Sequence, residues 1–321
     1  MKRILLVISA LLFAVVASFA AQEQVKIGCA WGDIAATLAT PEGESDVAVL
    51  IIAGSGPTNR NGNSGLNLNT YAYKMLSDGL VEAGFAVLRY DKRGVGESYI
   101  PAESVPNLLY DDYVDDAERC VAWLRERGYA KIFLAGHSEG GSIAIEVAQR
   151  GEVAGLVLLA APGYPMDEVL IWQLSQQLVP MHMGLFIQAE RIIRTLKSGG
   201  EVAEESVPAE LLSLFHPTVQ PFLRSSMLRE PCRMLAECEE PALIITGGRD
   251  IQVTVDNGEA LVAAAREGCH VTMESMCHVL KDAASSDRVE QLLSVYTDSK
   301  LPLTEALVPT RVEFMNNVIT K

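Results

Sequence analysis

Glycine two residues before and two residues after a serine is the spacing a sharp strand-to-helix turn requires. Gly136-His137-Ser138-Glu139-Gly140 has that spacing. A strand-like run, Lys131 to Leu134, leads in, and a helix-like run, Ser142 to Ala148, leads out. A side chain at Gly136 or Gly140 would meet the neighbouring strand or helix once the serine is pushed into a strained conformation. That conformation holds the Ser138 hydroxyl clear of the backbone at the start of a helix, where the helix dipole favours an oxyanion. The chemistry on offer is attack by Ser138 on a carbonyl carbon.

A serine hydroxyl is a poor nucleophile until a base takes its proton, and the base needs an orienting acid. Five histidines are present. His137 adjoins Ser138 on the turn and would point away, His182 and His216 fall in a helical stretch, and His270 lies inside an apparent strand, Cys269 to Met273. Functional residues of open α/β sheets gather at the carboxyl ends of strands, which selects His278, in the loop after that strand. Asp250 follows the strand Ala242 to Ile245 and is preferred as the acid. Asp256 is its rival, placed where it could also cap the next helix. An oxyanion hole needs two N–H donors. Glu139 supplies one, and Ser55, in Gly54-Ser55-Gly56 after the buried run Val47 to Ile52, is named as the other. Asn59 stands where a dinucleotide fingerprint would need its third glycine. The reaction so composed requires no cofactor. A metal reading of Cys269-His270 and Cys277-His278 lacks zinc-site spacing.

The elements that must position these residues alternate. Val25 to Ile27 and Ala35 to Leu38 read as short edge strands around Trp31-Gly32-Asp33. Strands at Val47 to Ile52, Phe85 to Tyr90, Lys131 to Leu134 and Leu156 to Ala160 are interleaved with helices at Tyr71 to Ala83, Leu108 to Arg127 and after Ser138. This alternation argues an α/β fold, a mostly parallel sheet flanked by helices. Pro162 to Pro231 breaks it, reading as helices alone (Glu168 to Leu178, Gly184 to Lys197, Pro208 to Phe215). Residues 162–231 are therefore expected to form a helical cap, inserted between core segments 21–161 and 232–321. Met166, Met181 and Met183 are candidates to line an acyl pocket beneath it.

At 321 residues the chain can bury one large α/β domain with an insertion. Its start reads differently. Lys2-Arg3, an apolar run from Ile4 to Val16 and small residues up to Ala20 have the form of a secretory signal peptide at 1–20, so the protein is expected to be exported, periplasmic or secreted. Cys29 lacks a lipobox before it, and no later stretch could span a membrane. The net charge is −15, and losing Lys2 and Arg3, two positive charges, makes it −17. Such acidity speaks against nucleic acid or an anionic membrane as partner and does not choose a substrate; the serine chemistry gives a small-molecule ester as the leading reading. Cys232 and Cys238, close in sequence, could bridge in an oxidising compartment or stay as buried thiols.

These motifs, with Tyr90-Asp91-Lys92-Arg93-Gly94-Val95-Gly96-Glu97-Ser98, Gly247-Gly248-Arg249-Asp250 and Cys277-His278, resemble the α/β-hydrolase superfamily from about Val25 to Tyr296. More narrowly the chain is similar to bacterial serine esterases of the serine-aminopeptidase-like branch. Ala53 to Asn63 is similar to their Gly-Ser-Gly-Pro-x-x-Arg-x-Gly-Asn loop, and Ala53 replaces the histidine of the commoner oxyanion loop. The resemblance implies the fold and a serine-type acyl transfer without fixing the acyl or leaving group. The order Ser138, Asp250, His278 is the one expected for this architecture, and a serine carboxylesterase is the leading reading. An exported peptidase or amidase would use the same triad and hold an amino terminus with carboxylates, for which Glu201, Glu204 and Glu205 are candidates. A non-catalytic binding protein is the remaining alternative. Arg93 and Glu97 are read as pins for their own loop.

Overall fold

Val47–Ile52 (β3) has no polar break, and all six residues are buried, as a strand covered on both faces must be. The computed structural model describes residues 21–65, 68–179 and 181–321. The signal-like stretch at 1–20 lies outside them. Around β3 runs an eight-stranded sheet of β1 (Ala21–Cys29), β2 (Gly32–Thr40), β3, β4 (Ala86–Tyr90), β5 (Lys131–His137), β6 (Gly155–Leu159), β7 (Ala242–Gly247) and β8 (Gly268–Met273), in the order β1-β2-β4-β3-β5-β6-β7-β8. β2 is antiparallel to both its neighbours, and every later pair is parallel.

Because side chains alternate along a strand, the sheet feeds two cores. Leu50, Ile52 and Leu134 pack with α2 (Tyr110–Glu126), α3 (Glu139–Arg150), α8 (Pro231–Glu237) and α9 (Val255–Ala264). Val49, Ile51 and Ala135 pack on the other face with α1 (Ala72–Glu82) and α11 (Leu307–Ile319). α10 (Arg288–Ser294) lies in the stretch between β8 and α11.

Between β6 and β7 lie α4 (Met166–Leu178), α5 (Met183–Lys197), the short α6 (Leu212–Phe215) and α7 (Gln220–Ser226), with no strand among the described residues. Leu170, Ile192, Phe215 and Met227 give these helices a core of their own. Two sequence expectations are corrected. The first two strands are nine residues each, and β2 is interior to the sheet. The expected helix Pro208 to Phe215 is a 3₁₀ turn, Ala209–Leu211, followed by one turn of α-helix that stops before Pro217. α7 carries Pro221 in its first turn, where a missing N–H costs no helical bond. Cys232 and Cys238 sit at the two ends of α8 as free thiols. Six residues of helix separate them by about 9 Å, beyond the roughly 7 Å that a disulfide tolerates.

Candidate active site

Ser138 sits between the last residue of β5 and the first of α3 with φ 52° and ψ −125°, a left-handed conformation rare for a residue with a side chain. The flanking glycines are there because nothing larger fits. A Cβ on Gly136 would lie 2.3 Å from the Gly140 carbonyl oxygen, and one on Gly140 would lie 2.3 Å from that of Ile52. The Ser138 N–H donates to Leu159 O at 2.9 Å, fixing the turn to β6. Glu139 opens α3, so its N–H has no acceptor within the helix and faces the serine side of the dipole.

The loop after β7 approaches the loop after β8 closely. Cβ atoms at Gly247 and Gly248 would lie 2.2 Å and 2.6 Å from the carbonyl oxygens of Met276 and Glu274. This contact brings Asp250 and His278 together. The Asp250 Oδ2 accepts from His278 Nδ1 at 2.8 Å, and Oδ1 accepts the N–H groups of Gln252 (2.7 Å) and Val253 (2.9 Å). Both residues are buried. Asp256 is not part of this pair. It lies in the first turn of α9 and borders a separate crevice with Tyr164 and Trp172. With Nδ1 bonded to a carboxylate, the Nε2 of His278 is the nitrogen left for a proton from elsewhere. Ser138, Ser55 and His278 border one cavity of about 90 Å³.

Sequence reasoning missed what carries this geometry. His137 is buried, and its Nε2 lies 2.7 Å from the backbone oxygen of His278. A carbonyl can only accept, so Nε2 donates and Nδ1 of the neutral ring accepts. The Tyr73 hydroxyl donates to that Nδ1 at 2.7 Å and accepts the Gly54 N–H at 3.1 Å. Burial, helped by the neighbouring His278, lowers the His137 pKa from the ordinary 6.5 to about 3, and burial holds the Tyr73 phenol well above its usual range. Neither group titrates near neutrality. The chain of bonds thus ties the Gly54-Ser55 loop, the serine turn and the His278 backbone into one unit.

Lys92 is the second residue missed. Its Nζ donates to Gly54 O at 2.5 Å and lies 3.8 Å from Glu139 Oε1, with both side chains buried. Burial drives lysine and glutamate each toward the neutral form, and their mutual attraction opposes it. Gly54 is held through both its N–H and its carbonyl, so the Ser55 N–H beside it is aimed by fixed neighbours. Asp91 accepts the N–H groups of Arg60 (2.7 Å) and Glu97 (3.0 Å) and joins the two flanking loops. Arg93 does pin its loop, donating to Asp112 and Asp116, while Glu97 is exposed and pairs with Arg60. The signal for Lys92 was the charge itself, a lysine beside an otherwise buried strand end.

A larger cavity of about 480 Å³ also borders Ser138, lined by Glu139, Ser55 and Lys92 and by Met166, Leu214 and Phe222 of the insertion. Met181 and Met183 do not line it. They are 78% and 51% exposed. Nor do the three carboxylates expected to hold an amino terminus line either cavity. Glu201 pairs with Arg224, Glu204 with His216, and Glu205 is exposed. Among the described residues, no three His, Cys, Asp or Glu side chains cluster as a metal site, and no helix is long and apolar enough to cross a membrane.

A mostly parallel eight-stranded sheet, a serine at the strand–helix turn after β5, and an aspartate–histidine pair after β7 and β8 define an α/β hydrolase. Within that class, residues 63–280 match the serine aminopeptidase family S33, and the chain belongs to it. Esterase EstD of Thermotoga maritima is 29% identical over 213 residues, which are 66% of this chain and 48% of EstD. The chain thus spans about half the length of that curated relative. Est1E from Butyrivibrio proteoclasticus, solved with ferulic acid bound, has a similar fold at 18% identity and a TM-score of 0.59, covering 92% of this chain and all of Est1E. Pyrococcus furiosus esterase Pf2001 is similar at 16% identity and a TM-score of 0.58, covering 93% of this chain and 91% of its own.

Proposed function

We infer that the protein hydrolyses carboxylic esters of small or medium acyl groups through an acyl-enzyme on Ser138. The observation that carries this is the 2.8 Å bond between Asp250 and His278, beside a serine held at φ 52°. His278 Nε2 takes the Ser138 proton as the oxygen attacks the ester carbonyl, and Asp250 stabilises the imidazolium. The Ser55 and Glu139 N–H groups hold the oxyanion. The carbon–oxygen bond to the alcohol breaks as His278 returns the proton to the leaving oxygen. Water then attacks the acyl-enzyme, giving its proton to His278, and the acid leaves as Ser138 regains a proton. No cofactor enters these steps. The name esterase on EstD, Est1E and Pf2001 supports this reading. The family's name favours an aminopeptidase or amidase, which would use the same residues.

Turnover of matched acyl ester and aminoacyl amide chromogenic substrates, measured side by side, separates the two. A kcat/KM for the ester at least a hundredfold above that for the amide is expected. The reverse ranking would make the protein a peptidase, and no turnover of either would make it a binding protein. We also propose that the protein is exported and cut after Ala20. What supports this reading is the sequence itself, Lys2-Arg3, the apolar run Ile4 to Val16 and the small residues up to Ala20. Intact mass of the protein recovered from a bacterial periplasm tests the cut. A chain that retains residues 1–20 would refute it.

A further inference from the structure

Two cavities meet at Ser138, and they differ in size and in what lines them. The smaller, about 90 Å³, is bordered by His278, Leu280, Tyr73 and Tyr296. The larger, about 480 Å³, is bordered by Glu139, Lys92, Tyr113, Leu214 and Phe222, and His278 is not among its walls. Resting on the serine-esterase reading above, we propose that the enzyme takes esters of a medium-sized apolar acid with a small alcohol, the alcohol seated in the small cavity and the acyl group in the large one.

The assignment follows from where the proton must go. The carbonyl oxygen has to face the N–H groups of Ser55 and Glu139 while its carbon faces Ser138. The two remaining substituents point to opposite sides. The leaving oxygen takes its proton from His278, so the alcohol lies on the histidine side. Of the two cavities at Ser138 among the described residues, the one that His278 borders is the small one. The small cavity, at roughly 90 Å³, has less than a fifth of the roughly 480 Å³ of the large one. The walls agree with the sizes. The small cavity is closed by Tyr73 and Leu280, both buried core residues. Methionine, leucine and the Tyr113–Phe222 edge-to-face pair (5.4 Å) line the large one, with the Lys92–Glu139 pair at its floor. Each apolar methylene buried there adds about 0.8 kcal/mol, close to fourfold in kcat/KM when it is felt in the transition state.

Methyl 4-phenylbutanoate and 3-phenylpropyl acetate are isomers with the ester reversed. They share size, ring and chain, and their alcohols are of similar acidity. The wild-type enzyme should hydrolyse the methyl ester with a kcat/KM at least tenfold higher. Leu214→Trp, which fills the large cavity, should shrink that ratio at least threefold. Vinyl acetate, small on both sides, reports the hydrolase itself. If it is turned over and the isomers are equal or reversed in rank, the pocket assignment is overturned and the esterase reading stands. If the ratio is present but unmoved by Leu214→Trp, the acyl group does not sit under the insertion and the assignment fails. If no ester is turned over, the underlying reading fails and takes the assignment with it.

Discussion

Tyr73→Phe removes one oxygen and, with it, two buried hydrogen bonds. The hydroxyl accepts from Gly54 at 3.1 Å and donates to His137 at 2.7 Å, and all three residues are buried. Leaving a buried donor or acceptor unpaired costs about 1–3 kcal/mol. The small cavity borders Gly54, Tyr73 and His137, so water can replace one bond. The expected net loss is about 2 kcal/mol, or a fall in Tm of about 4–8 °C at about 2–4 °C per kcal/mol. The catalytic effect is separate. Removing an oxyanion donor outright costs about 10²–10³ in kcat. Here the Ser55 donor remains but its neighbour Gly54 loses one of two anchors, so a fall of about tenfold in kcat with little change in KM is expected. The assay is steady-state kinetics on one ester beside thermal melts of both proteins. A variant with wild-type kcat and a Tm within 1 °C would refute the idea that this hydroxyl aligns the site.

Three further outcomes follow from the same contacts. His137 has a folded pKa of about 3 against an ordinary 6.5, so between these values the unfolded chain binds the extra proton and stability falls as the pH falls. The loss is about 2 kcal/mol by pH 5, and urea melts of His137→Gln should show a flatter acid limb than wild type; parallel limbs would contradict this. Lys92→Met should cost about 3–5 kcal/mol by leaving the Glu139 carboxylate buried without its partner, and adding Glu139→Gln should recover part of it, so a double variant no more stable than the single would be evidence against the pair. Asp250→Asn should lower kcat by about 10⁴ with the fold intact by circular dichroism, while Asp256→Asn stays within about threefold; the opposite pattern would move the acid to Asp256.

The sheet was legible because burial on both faces leaves unbroken apolar runs, as in Val47 to Ile52 and Leu156 to Leu159. Ser138 was legible because two glycines at fixed offsets have one steric explanation, which the 2.3 Å approaches at Gly136 and Gly140 bear out. His278 and Asp250 could be picked out by their place after strands, a consequence of topology. The partners of Lys92, Tyr73 and His137 could not. Their roles depend on partners 38, 19 and 141 residues away, and no local pattern encodes such distances. The insertion was visible as helices without strands. Which of its apolar residues face the cavity was not, because helical spacing gives a buried side without saying what lies against it. Met166 faces the cavity, and Met181 and Met183 face water.

The central claim is that Ser138 forms the covalent intermediate. A fluorophosphonate ester should modify the protein once, abolish ester turnover, and after digestion appear on the peptide containing Ser138, with Ser138→Ala neither labelled nor active. Labelling of another residue, or turnover that survives Ser138→Ala, would contradict the account.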